Sequence, residues 1–170
     1  MLIMKRSGAD RSTFLDHWET YVLVRDDNEI GRIEINAHGG HVTVEGSQFQ
    51  CRIHPTARPR LTFVPARWVM YTGERELHAA RPEGARTFLV DEAPGLGLLR
   101  LRREGLLSVA GFAIDRMPDE RRIGEVRFLR GRLLPRPRAP QYRLETEQEL
   151  PVTFEVFLAW IVVQAGLDSG

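Results

Sequence analysis

The sequence predicts a mainly β protein: a closed antiparallel barrel of hairpins wrapped around one hydrophobic C-terminal helix. Two observations carry this. The stretch 151–166, PVTFEVFLAWIVVQAG, is apolar nearly all round, and Glu155 is the only charged side chain between Thr153 and Gln164. A helix with no polar face must be buried or lie in a membrane. At about 1.5 Å per residue it spans about 22 Å, short of the ~30 Å hydrocarbon core. The second observation is period-two alternation ahead of it. Phe49, Cys51 and Ile53 alternate with Gln50, Arg52 and His54; Val42 and Val44 alternate with His41, Thr43 and Glu45; Leu99 and Leu101 alternate with Arg100 and Arg102. A strand with one dry face requires this spacing. Such strands, followed by a helix without a wet face, make a shell closed around that helix.

Taken in order, residues 1–17 read as an N-terminal extension. Its apolar run is too short for a signal peptide, and Ser12–Trp18 suits one short turn of helix capped by Ser12 or Asp10. Residues 18–146 read as hairpins. Three of them share one form: Ile30-Gly31-Arg32-Ile33, Leu96-Gly97-Leu98-Leu99 and Ile123-Gly124-Glu125-Val126 each lead into a return strand after an apolar strand and a polar turn. A weaker relative runs from Trp68 through Gly73 to Arg81. The unequal spacing argues against a solenoid. Gly at the second position permits a bulge or close approach of another element, or else belongs to an extended turn. The segment Arg130–Pro140, with three prolines, is a loop or an edge segment. In the helix 151–166, Pro151 suits the first helical position and Gly166 the residue just past the end.

At 170 residues, with 42% hydrophobic and 28% charged residues, the chain is expected to be a single soluble domain with its own core. The lone Cys51 excludes an internal disulfide and suits a reducing compartment, so the expected location is cytoplasmic. The net charge of +1 conceals an uneven distribution. Residues 7–50 carry three Arg against eight acids, 121–138 seven Arg against Glu125, and 139–170 one Arg against five acids. Of 24 basic residues only Lys5 is not Arg, a bias that a GC-rich genome also produces.

Chemistry-bearing motifs are sparse, and the chain is not expected to be an enzyme or to carry a cofactor. His38-Gly-Gly-His41 could ligate a divalent metal with His54 or an Asp as third ligand, but Gly-Gly between strands is first a turn signal, so no metal is expected. Ser108 lacks the glycine-flanked elbow of a nucleophile. Cys51 alternates with core residues, and Asp26-Asp27 reads as turn polarity. The basic segment offers the binding residues: Arg127 faces outward if Val126 and Phe128 face the core, with Arg130, Arg132, Arg136 and Arg138 following. Such a cluster suits phosphates, while the absence of interleaved aromatics argues against single-stranded nucleic acid. The alternative is that these arginines pair with acidic segments of the same chain.

The IGRI and IGEV returns, followed by the FEVFLAWIVV helix, resemble the tubby C-terminal-like superfamily, which includes the LURP-one-related proteins and the phospholipid scramblases. The resemblance covers about residues 18–166. It implies a twelve-stranded barrel around a hydrophobic C-terminal helix, and a binding module for anionic lipid headgroups or other phosphate-bearing ligands. A scramblase's Cys-rich acylated segment has no counterpart here. A second reading is a protein–protein interaction or homodimeric scaffold using a strand edge, and a third a small metal-dependent hydrolase using His38 and His41.

Overall fold

The computed structural model describes residues 1–10, 18–54, 67–84, 87–93, 95–104, 111–130 and 141–167. Twelve strands precede one helix: β1 (Leu2–Asp10), β2 (Trp18–Arg25), β3 (Asn28–Asn36), β4 (Gly39–Val44), β5 (Ser47–His54), β6 (Arg67–Thr72), β7 (Arg75–Pro82), β8 (Thr87–Ala93), β9 (Gly97–Glu104), β10 (Gly111–Arg116), β11 (Arg121–Arg130), β12 (Gln141–Thr146) and α1 (Val152–Leu167). Each strand pairs antiparallel with its sequence neighbours, and β1 pairs with β12 to close the barrel. Residues 2–10, expected as an extension, are therefore a wall strand in register with both β12 and β2. Among the described strands closure leaves no free edge. The short helical turn expected at Ser12–Trp18 lies outside the described residues except for Trp18, which begins β2.

Inside, α1 takes the place of a solvent-filled lumen. Every residue from Phe154 to Gln164 is buried. Leu23, Ile33, Ile35, Val42, Met70, Leu99, Leu101 and Ile114, all fully buried or nearly so, converge on it from the strands. Trp160 packs against Trp68 and Phe157 at ring-centroid distances of 5.4 and 5.8 Å. Each large side chain so buried contributes about 1.5–3 kcal/mol. The two polar residues of the buried stretch are partnered with the wall. Glu155 bonds Arg25 at the end of β2, although burial still raises its carboxyl above the usual range. Near the other end Gln164 donates to the Asn36 carbonyl at 2.8 Å.

The helix boundaries differ by a residue or so from those expected. Pro151 stands just before the helix, and its carbonyl accepts the amides of Phe154 and Glu155. Gly166 falls inside the last turn rather than past it. Helix ends fray and vary by one or two residues.

The hairpin turns obey backbone chemistry. Asp26 and Asp27 both have positive φ (49° and 61°), as do Glu45 and Gly46 (49° and 78°). A two-residue turn with both residues left-handed matches the twist of the flanking strands, and Asp and Gly tolerate it best. In three hairpins the return strand bulges soon after the turn. Ile30 is the unpaired residue of β3, Leu77 of β7 and Ile123 of β11. The carbonyl of Ile30 then accepts the amide of Glu45, and that of Ile123 the amide of Glu147. The third repeat uses Leu98, whose carbonyl accepts the Met117 amide.

Candidate functional site

Because the meander alternates direction, its connections join strands at one end of the barrel or the other. The helix enters at the rim where β2 meets β3. The turns there, together with 147–151, contain Asp26, Asp27, Glu45, Glu74, Asp119, Glu120, Glu147 and Glu149, and no basic side chain. The opposite rim is where β1, β3, β5, β7, β9 and β11 end. Most of the sequence joining strands there, 11–17, 55–66, 85–86 and 131–140, lies outside the described residues. As sequence, the connections at this end contain Arg11, Arg58, Arg60, Arg86, Arg132, Arg136 and Arg138 against Asp16 and Glu83. The sequence blocks of unlike charge hide this, because neighbouring connections belong to opposite rims. Sorting the connections alternately is the signal that would have found it.

The binding residues expected from the sequence meet mixed outcomes. Arg127 is exposed on the outer face of β11, beside the inward Val126 and the half-buried Phe128, and forms an ion pair with Glu125 at 2.5 Å. Arg121 pairs with Glu147 at 3.0 Å and Arg122 with Glu104 at 2.5 Å. The Arg122 guanidinium also holds the Glu104 carboxyl below its usual range. In the described part of the basic stretch, internal pairing is thus the rule. The side chain of Arg130 and the whole of Arg132, Arg136 and Arg138 lie outside the described residues. So does Ser108.

The histidines are not assembled into one site. The turn between β3 and β4 is Ala37-His38 rather than the glycine pair, and Gly39 and Gly40 already belong to β4. These glycines are needed for room: a Cβ would lie 2.2 Å from the Cys51 carbonyl oxygen at Gly39 and 2.0 Å from that of Glu34 at Gly40. His38 is exposed at the turn, while His41 stacks on Trp18 at 6.1 Å on the outer wall. His54 bonds the Tyr71 hydroxyl at 2.9 Å. Among the described residues no group of three His, Cys, Asp or Glu side chains is placed to hold a metal ion. Cys51 is buried, and burial raises its thiol far above the ordinary range, leaving it a small core residue.

The outer wall carries one further groove, of about 440 Å³, over β3 and β4. Glu29, Glu34 and Glu45 line it together with Arg32, His41 and Thr43. Arg32 already pairs with Glu29 at 2.9 Å, so the groove is acidic and unsuited to an anion. Among the described residues no helix is long and apolar enough to cross a membrane. Compared with protein-family models, curated proteins and solved structures, the chain finds no match.

Proposed function

We propose that this chain is a non-enzymatic, tubby-like binding module whose basic rim engages anionic lipid headgroups or other phosphate-bearing ligands. What supports the reading is the sequence of the connections, sorted by the strand ends that they join. Seven arginines against two acids belong to connections of one end, and eight acids to the other. An excess of arginine in the connections of one end would orient the barrel on an anionic surface before contact, while at the other end Asp119, Glu120 and Glu147 are already paired with Arg116, Arg100 and Arg121. The helix-filled interior leaves the rims and outer wall for ligands, and a barrel around an apolar helix is the architecture that the tubby-like resemblance implies. Arg127 is already paired with Glu125.

Co-sedimentation with acidic and neutral liposomes tests this. The wild type is expected to bind the acidic vesicles at low salt and release them at high salt. Changing Arg130, Arg132, Arg136 and Arg138 together to Gln should weaken binding by about 1 kcal/mol per residue without moving the thermal midpoint. Competition by inorganic phosphate distinguishes a phosphate pocket from a membrane surface. Absence of binding at low salt, with a destabilised quadruple variant, would mean that these arginines serve internal ion pairs.

A further inference from the structure

The wall contact of the helix's first turns contains a titratable group that the proposed function does not use. His78 follows the bulged Leu77 in β7 and points inward, half-buried. Its ring meets Phe154 edge-on at 5.1 Å and lies tilted against Phe157 at 5.6 Å, and its Nε2 is 3.5 Å from the Thr153 hydroxyl. All three partners belong to the first two turns of α1. We infer that His78 makes the docking of α1 acid-sensitive, so that mild acid loosens the first two turns of the helix from the barrel wall.

Two physical terms act in the same direction. Burial against two phenyl rings removes hydration that an imidazolium requires, and accordingly burial lowers the His78 pKa from its usual value. The unpaired amides at a helix N-terminus also carry partial positive charge, which repels a cation placed beside them. No described carboxylate offsets this. On β6 the facing residue is Met70. On β7, Glu76 pairs with Arg67. The β7–β8 ladder begins at Ala79, opposite Asp91. On α1 the only ionisable side chain is Glu155, which is engaged with Arg25. Glu155 titrates with the opposite sign, because its raised carboxyl favours the docked state as it is protonated.

The sign for His78 follows from linkage. Its pKa is lower in the docked state than in the released state, so docking is fully favourable above the ordinary histidine range. It weakens as pH falls through that range. With a released-state value of about 6.5, opening increases as pH falls from 7.5 to 5.5, by at most about tenfold. Hydrogen exchange of the amides of residues 154–160, divided by their intrinsic rates, measures this opening in the full chain. The wild type should show this rise while β3 and β4 amides stay unchanged. His78→Phe keeps a ring that cannot charge and should abolish the rise; His78→Gln serves the same purpose if the bulkier ring disturbs folding. A rise that persists in both variants, no rise in the wild type, or a rise shared equally by β3 and β4 would each overturn the inference.

Discussion

The glycines at 31 and 124 do a different job from the glycine at 97, although all three sit in look-alike sequences. Gly31 and Gly124 each follow a bulged isoleucine and face the last residue of the next strand, Val44 and Thr146. A Cβ on Gly31 would lie 2.0 Å from the Thr43 carbonyl oxygen, and on Gly124 2.6 Å from that of Glu145. Gly97 has open space around it and a φ of +72°. Its place in the fold is two residues out of step. The hydrogen bond that Ile30 and Ile123 accept is accepted by Leu98, so Leu99 occupies the position of Gly31 and Gly124 and faces Arg116, the last residue of β10. One sequence motif therefore answers two needs, room for a neighbouring strand in two hairpins and a left-handed backbone in the third.

The substitution with the largest expected effect tests the shifted alignment. Leu99 is fully buried against the helix, so Leu99→Gly should cost about 4 kcal/mol through the lost side chain and the freer backbone. If Leu99 were a mere glycine equivalent, urea unfolding would show a loss below about 1 kcal/mol. Gly31→Ala comes next, at about 3 kcal/mol, because the obstacle is backbone and the wall itself must shift. Gly124→Ala should cost less, about 1–2 kcal/mol, since its closest contact is longer and the next is the Thr146 methyl, which can turn away. Equal losses at 31 and 124 would show that packing distance is not what sets the cost.

The barrel and its filling helix could be read from the sequence because both rest on side-chain periodicity. A wall with one dry face writes itself as alternation, as at Val42 and Val44, and a helix dry on all sides writes itself as Phe154 to Val163. Leu2–Asp10 escaped because the short apolar start, MLIM, gives way at once to Lys5 and Arg6, and closure depends on a partner more than a hundred residues away. Candidate residues were harder to read because their environment is set across strands. His54 meets Tyr71, Arg122 meets Glu104 and Arg121 meets Glu147 only once the strands have paired in register. The rim charges were readable in principle, but only once the number and direction of the strands are known.

The smallest expected effect belongs to Gly97, and it separates the two needs most cleanly. Nothing lies within 4 Å of the position where its Cβ would be, so Gly97→Ala introduces no clash. What remains is the left-handed backbone, which costs an L-residue about 1–2 kcal/mol. Part of this is offset, because alanine restricts the unfolded chain more than glycine does, a gain of about 0.4–1 kcal/mol. The net loss should be near 1 kcal/mol. Asparagine tolerates the left-handed region better than alanine, so Gly97→Asn should recover part of that loss even though it is the larger residue. Size and handedness predict opposite orders for this pair. If Gly97→Asn proves more destabilising than Gly97→Ala in urea unfolding, crowding governs this hairpin as it governs the other two, and the distinction between the glycines collapses.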